Sequence, residues 1–268
     1  MIGWASQRRR AEILPSGGKP RVPAGARIYA IGDVHGRLDL FTALLALVRA
    51  DHDARPAARV TIIVLGDIVD RGTETAALLA LCHAATVHSP NFVVLKGNHE
   101  EMMTHALRGD LEVMQAWLRH GGDATLSSFD APSELIATGA CDALRVAAIA
   151  RIPVHLLEWL DALPLYRSAG DYLFVHAGIR PKTPLTSQSS DDLLWIRDDF
   201  LESNEDHDAI VVHGHSIVAT AQIHRNRIGI DTGAYRTGRL TALVLDGDER
   251  HLLCTGPAAT SRGPVMFE

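Results

Sequence analysis

Five times along this chain, a strand-sized apolar run gives way at once to glycine mixed with carboxylate, amide or imidazole side chains. Arg27 to Ile31 leads into Gly32-Asp33-Val34-His35-Gly36, and Val60 to Leu65 into Gly66-Asp67-Ile68-Val69-Asp70-Arg71-Gly72. Phe92 to Leu95 precedes Gly97-Asn98-His99-Glu100, Tyr172 to Val175 precedes His176-Ala177-Gly178, and Ile210 to Val212 precedes His213-Gly214-His215. In an α/β sheet the carboxyl ends of neighbouring strands converge on one crevice, so polar groups far apart in sequence meet in space. The glycines permit tight turns and let backbone pass close to a bound ion or phosphate.

The segments between these blocks support that reading. From Leu38 to Val48, Phe41, Leu44, Leu45 and Val48 follow the i, i+3, i+4, i+7 spacing of one helix face. Glu74 to Ala85 reads as a second helix, so the first hundred residues form a βαβαβ pattern and the fold class is α/β. Residues 101 to 165 lack a strong strand and carry helical stretches at Glu101 to Leu107, Leu111 to Leu118 and His155 to Leu163, which predicts a helical insert. Beyond Tyr172 the further strands are Ala221 to His224, Arg227 to Ile230, Leu240 to Leu245 and Arg250 to Cys254, and their short spacings suggest antiparallel hairpins. No linker or repeat follows residue 26, which predicts a single domain over 26–256, a loose N-terminal arm over 1–25 and a C-terminal tail over 257–268.

Composition excludes several classes of partner. The 26 Lys and Arg against 32 Asp and Glu give a formal charge of -6, a field that repels a polyphosphate backbone, so nucleic acid is not expected. No apolar run approaches membrane-spanning length, and the stretch after Arg8, Arg9 and Arg10 lacks the apolar core of a signal peptide. The three cysteines, Cys82, Cys141 and Cys254, are odd in number and widely spaced, and read as reduced thiols of a cytoplasmic protein.

The blocks GDxHG, GDxVDRG and GNHE, followed by HAG and GH, resemble the metallophosphoesterases, specifically the bacterial branch of the phosphoprotein phosphatase family. The resemblance runs from residue 27 to about 245. It implies a four-layer αββα sandwich with a helical insert and two divalent metal ions, Mn²⁺ in first place with Fe or Zn²⁺ as alternatives. By position, Asp33, His35 and Asp67 would bind one metal, and Asp67, Asn98, His176 and His215 the other, with Asp67 bridging. His215 rather than His213 fills the last place because it ends a Gly-His pair ahead of Ile230-Asp231-Thr232-Gly233-Ala234. A donor set of carboxylate, amide and imidazole without thiolate suits such ions. Two dications, two carboxylates and one hydroxide leave a net +1; an Asp at position 98 would cancel it, so the neutral amide keeps the site electrophilic.

The resemblance also implies roles outside the ligand set. A metal-bridging hydroxide would attack phosphorus in line, and Arg71 would grip the phosphoryl oxygens with the bidentate fork that lysine lacks. Arg197, in Leu194-Trp195-Ile196-Arg197, is the best match for a second arginine. His99 would protonate the leaving alkoxide, and Asp70 would orient it. Glu100 is assigned to capping or supporting the local turn, while Asp231 and Tyr235 belong to a segment that can face the site. Two departures from the pattern, Ile68 in place of an aromatic residue and no second histidine after Gly214-His215, remove no ligand.

Three functions compete on these residues. The segment Trp117 to Phe129 (WLRHGGDATLSSF) looks like that of bacterial protein phosphatases, which puts a serine/threonine phosphatase acting on a phosphoprotein or phosphopeptide first. A dinucleoside tetraphosphate hydrolase shares the metal blocks and would use the insert to meet the nucleotide. A binding module with a decayed site comes last, because all six ligands and Asp70, Arg71 and His99 are present.

Overall fold

The computed structural model describes residues 19–256, so the first eighteen residues of the expected arm and the whole of the expected tail lie outside the described residues. The chain runs β1 (Ala26–Ile31), α1 (Leu38–Asp53), β2 (Arg59–Val64), α2 (Thr75–His88), β3 (Phe92–Val94) and α3 (Asn98–Arg108). The insert continues with α4 (Leu111–Trp117), α5 (Asp123–Ser128), α6 (Ser133–Thr138), α7 (Cys141–Ile149) and α8 (Val154–Asp161). After it come β4 (Tyr166–Ala169), β5 (Tyr172–Val175), α9 (Ser190–Trp195), α10 (Asp198–Leu201), β6 (Ile210–His213), β7 (Gln222–Ile223), β8 (Arg227–Gly229), α11 (Ala234–Thr237), β9 (Thr241–Asp246) and β10 (Glu249–Cys254).

The central strands read as apolar runs because each is covered on both faces. One sheet has the order β10-β9-β1-β2-β3 and the other β4-β5-β6-β8-β7. Ile28 and Ala30 of β1, Ile63 of β2, Tyr172 and Phe174 of β5 and Val212 of β6 fill a single core between the sheets. On the outer side of the first sheet, Ile31 and Val64 pack with Phe41, Leu44, Leu78 and Met103 of α1 to α3, and with Trp117, Leu126, Leu144 and Leu160 of the insert. Leu173, Val175 and Val211 cover the outer side of the second sheet with Leu193, Ile196 and Phe200. Helices, sheet, sheet and helices give the expected four-layer α/β sandwich, with the helical insert on the outside of the first sheet.

Topology departs from expectation in the second half. Three hairpins are antiparallel, β4 with β5, β7 with β8 and β9 with β10. β5, β6 and β8, however, are mutually parallel. The connection from β5 to β6 carries α9 and α10 across the outer face, which is what a parallel pairing needs. β4 escaped the sequence reading because it is an exposed edge, with Tyr166, Arg167 and Ser168 turned to solvent and no alternation to betray it. The parallel strands β1, β2 and β3 in one sheet, and β5 and β6 in the other, all deliver their carboxyl ends to the same rim.

The last residues of the expected arm lie against the body. Val22 is buried and its amide donates to the Gly247 carbonyl at 3.0 Å, while the Arg21 amide donates to Asp171 Oδ2 at 2.9 Å. Toward the amino end of β1 a second buried polar cluster forms. Asp51, at the end of α1, accepts from the Tyr29 hydroxyl at 2.9 Å and from Arg55 Nε at 3.2 Å, and pairs with His251 at 3.0 Å. Arg27 donates to Asp246 at 2.8 Å and to the Pro56 carbonyl at 2.9 Å.

Candidate metal centre

At the shared rim, the loops after β1, β2, β3, β5 and β6 meet. Asp33, His35, Asp67, Asn98, His176 and His215 are all buried there, as are Asp70 and His99. Two groups of potential ligand atoms, His35 with Asp67 and His99, and Asp67 with His176 and His215, each lie within 4.8 Å of one another and share Asp67. Asp33 belongs to neither group, and its two oxygens accept from the His215 amide at 3.2 and 3.0 Å.

Backbone strain is concentrated at this rim. His35, Asp67, Asp70, Arg71 and His215 all have positive φ, between 47° and 72°, a region that costs a side-chain-bearing residue free energy and persists only where its surroundings enforce it. Two glycines explain how the loops approach so closely. A Cβ on Gly97 would strike the Asp67 carboxylate and amide, and one on Gly214 would strike Asp33 Oδ1. Glu100, from the first turn of α3, binds the loops together: its Oε2 accepts from the amides of Asp67 at 2.9 Å and Gly97 at 2.8 Å, and its Oε1 from those of Ile68 at 2.9 Å and Val69 at 3.1 Å. The expected supporting role of Glu100 is what its four bonds perform.

The imidazoles are oriented by backbone carbonyls. His35 Nδ1 bonds to the Val69 carbonyl and His176 Nδ1 to the Leu65 carbonyl, both at 2.9 Å, so each Nδ1 carries the proton and each Nε2 is left with its lone pair facing the centre. Burial, the main cause, pushes His35 down to about 3, His215 down to about 2 and His176 below its ordinary value, so all three rings are neutral. His176 Nε2 and His215 Nδ1 then both face Asn98 Oδ1, at 2.8 and 3.0 Å. For His176, whose Nδ1 carries the proton, a lone pair opposed to that oxygen is repulsive until a cation lies between them. Burial, together with Asp231 and Asp67, likewise pushes the Asp33 carboxyl well up, as expected for acids gathered without a counter-charge. Oxygen and imidazole donors arranged in this way fit divalent cations.

Asp70, Arg71 and His99 surround the donors. His99 Nδ1 lies 2.6 Å from Asp70 Oδ2. Burial pulls His99 down, but Asp67 and Asp70 outweigh it, so alone among these rings it is raised. Arg71 Nη1 approaches His35 Nε2 at 2.8 Å and Nη2 approaches His99 Nε2 at 2.9 Å, and its guanidinium lies 4.7 Å from the centre of the Tyr235 ring. Tyr235 in turn meets His35 edge-on at 5.4 Å, and Asp231 is buried close to Asp33, its carboxyl pushed up to about 6 by burial. Both residues of the IDTGA-containing segment therefore face the site.

Arg197 lies at the exposed margin, lining a cleft of about 330 Å³ with Arg180, Asp192 and Trp195. Its charge acts on His176 and His215, and its guanidinium has no partner among the described residues. His213 is buried against Phe200 with ring centres 5.1 Å apart and belongs to neither ligand group. Trp117 and Thr125 were not expected at the site, yet both bond to Asp70; the only trace of them in the sequence is the WLRHGGDATLSSF segment itself.

A family profile described as calcineurin-like phosphoesterase matches residues 26–240. This chain belongs to the calcineurin-like phosphoesterases. Over 160 residues it is 32% identical to the symmetrical bis(5'-nucleosyl)-tetraphosphatase of Delftia acidovorans, a match covering 58% of this chain and 45% of that protein. The phosphoesterase described here thus spans less than half the length of that relative. It is 28% identical over 224 residues to serine/threonine-protein phosphatase 2 of Escherichia coli, covering 80% of this chain and 90% of the relative. To the asymmetrical bis(5'-nucleosyl)-tetraphosphatase PrpE of Anoxybacillus flavithermus it is 26% identical over 234 residues, covering 80% and 88%. Among solved structures, a provisionally named diadenosine tetraphosphatase superposes with a TM-score of 0.60 at 19% identity, over 87% of this chain and 96% of the other, a likeness in fold. Among the described residues no helix is long and apolar enough to cross a membrane.

Proposed function

We propose that this phosphoesterase uses two divalent cations to hydrolyse a dinucleoside tetraphosphate. The observation that carries the two-cation reading is the shared carboxylate: Asp67 belongs to both ligand groups, which is what two adjacent ions require. Asp33, His35 and Asp67 would hold one ion, and Asp67, Asn98, His176 and His215 the other, with Mn²⁺ the first candidate. When bound, such ions supply Lewis-acid charge and activate water at neutral pH.

The chain's own groups do the rest. Arg71, now held on two imidazole nitrogens, would turn its fork onto phosphoryl oxygens and stabilise the charge that develops there. His99, held at Nδ1 by Asp70, would stand with Nε2 toward the departing oxygen, where a proton is needed only by an alkoxide leaving group. Arg197, exposed and unpartnered, would meet a phosphate further along the substrate.

Two considerations favour a nucleotide. Relatives named as tetraphosphatases include one aligned over most of its length. The indole of Trp195, 40% exposed, lies 6.3 Å from the His215 ring and is pinned by a 2.7 Å bond from its Nε1 to Glu101 Oε2. A fixed, exposed aromatic plane beside a phosphate site suits a nucleobase. The expectation that put a serine/threonine phosphatase first therefore becomes the second reading. It keeps one specific support, because a buried Asp70–His99 pair matters most for an alkoxide leaving group, and phosphate anhydrides leave without a proton.

Side-by-side turnover of diadenosine tetraphosphate and a phosphoserine peptide with Mn²⁺ tests the choice. The nucleotide is expected to give the higher kcat/KM; a preference for the peptide reverses the order of the two readings.

A further inference from the structure

A dinucleoside tetraphosphate hydrolase would use the insert to meet the nucleotide, but the insert's best-defined contacts run inward. Trp117, at the end of α4, donates its indole Nε1–H to both oxygens of Asp70 at 2.9 Å. Thr125, in α5, donates its hydroxyl to Asp70 Oδ1 at 2.6 Å and accepts from the Asp70 amide at 2.9 Å. Asp70, Trp117 and Thr125 are all fully buried. Between the two helices, Leu118–Gly122 kinks the chain, with Gly121 at φ 106°. That kink brings the Gly121 carbonyl to the Arg71 amide at 3.1 Å and packs Gly121 so closely on Arg71 that a Cβ there would collide with it. Gly122 is similarly pressed against the Trp117 ring.

We infer that the insert is a positioning device for Asp70, with Trp117 and Thr125 as its working residues, and that this fixes the hydrogen bond through which Asp70 holds His99. The physical reason lies in the count of donors. A buried carboxylate is stable as the anion only if its lone pairs are filled, and charge-assisted bonds to it are the strong ones. The indole and the hydroxyl fill those not taken by His99, leave Asp70 no freedom to turn, and so fix the line of its 2.6 Å bond to His99 Nδ1. Asp70 also has φ 72°, a conformation its surroundings must enforce, and its amide bond to Thr125 is part of that enforcement. The side chains of Trp117 and Thr125 hydrogen-bond to Asp70 and to none of the candidate metal ligands; they act through Asp70.

This inference rests on the phosphoesterase reading only for its kinetic arm, where leaving groups separate positioning from plain stability. p-Nitrophenolate departs without help, whereas phenolate and alkoxides need a proton. In Thr125→Val and Trp117→Phe, kcat/KM on phenyl phosphate is expected to fall roughly 10- to 100-fold, the range for residues that orient a working group. p-Nitrophenyl phosphate turnover should change little, and Thr125→Ser should restore the wild-type ratio. Equal losses on the two esters, or no loss on either, would overturn the inference.

The second arm uses the metal-free protein and does not depend on turnover. Proton NMR should find the His99 Nδ1–H far downfield in wild type and in Thr125→Ser, and moved upfield or lost to exchange in Thr125→Val, with the remaining dispersed spectrum retained. An unmoved resonance in Thr125→Val counts against the inference. If wild-type protein turns over neither ester with Mn²⁺, the phosphomonoester reading fails while this arm still decides the role of the insert.

Discussion

Two buried polar clusters lie toward opposite ends of β1, and they treat their charges in opposite ways. Around Asp51 each carboxylate oxygen has a donor, from Tyr29 on one side and from Arg55 and His251 on the other, and none of these residues has positive φ. At the metal-centre rim, five residues are held at positive φ, the neutral His176 points its Nε2 lone pair at Asn98 Oδ1, and His215 Nε2 is buried with no partner. Asp51 and Tyr29 are as hidden from water as the rim residues, although Arg55 and His251 are partly exposed, so burial of the acid alone does not distinguish the clusters. What does is whether the polar groups satisfy one another: the paired cluster is self-sufficient, and the strained one is completed only by something from outside the chain.

Substitutions at the two clusters should therefore separate activity from stability. The largest effect is expected for Asp67→Asn, which removes the shared carboxylate: turnover should fall to background, and calorimetric titration with Mn²⁺ should detect no tight binding. Turnover retained in that variant would break the comparison at its root. Arg71→Ala should lower kcat by about 10³ while leaving Mn²⁺ binding intact, in line with arginines that stabilise phosphoryl transfer. Loss of the metal there would assign Arg71 a structural part instead. Gly97→Ala, which forces a Cβ against Asp67, should weaken Mn²⁺ binding about 10- to 100-fold, as disturbance of ligand-orienting groups does.

The paired cluster should answer in stability alone. Tyr29→Phe leaves Asp51 Oδ2 without its donor and should lower unfolding free energy by roughly 1–3 kcal/mol with kcat unchanged. The smallest effect concerns pH. Burial raises the Asp51 carboxyl, but Tyr29, His251 and Arg55 together carry it below its ordinary 3.8. A carboxyl lowered on folding gives stability that is present above that ordinary value and lost as pH falls through the folded one. Melting curves should accordingly steepen their decline below about pH 4 in wild type, and Asp51→Asn should flatten that decline while lowering stability near neutrality. An unchanged slope would mean that Asp51 is ionised no more readily in the fold than out of it.

The loops that carry the candidate ligands were legible because each needs only a few consecutive residues at the end of one strand. Asp33 and His35, Asp67, Asn98, His176 and His215 all announce themselves as short blocks after apolar runs, and the rim gathers them as parallel strands require. The outer helices of the first half were equally plain, although α1 and α2 extend a turn or so beyond their apolar stripes. The parallel order of the second sheet was not legible, because short spacing reads the same whether a strand pairs with its neighbour or with a strand beyond it. Trp117 and Thr125 were hidden for another reason. Their bonds to Asp70 span 47 and 55 residues, and an indole or hydroxyl in a helix carries no local sign of a distant carboxylate.

Glu100 gathers four amides from two separate loops onto one carboxylate. Neither loop can be lengthened, shortened or re-angled without stranding donors that belong to the other. Anyone transplanting this centre onto a new scaffold would have to move residues 66–72 and 97–100 together with the first turn of α3, as one indivisible cassette.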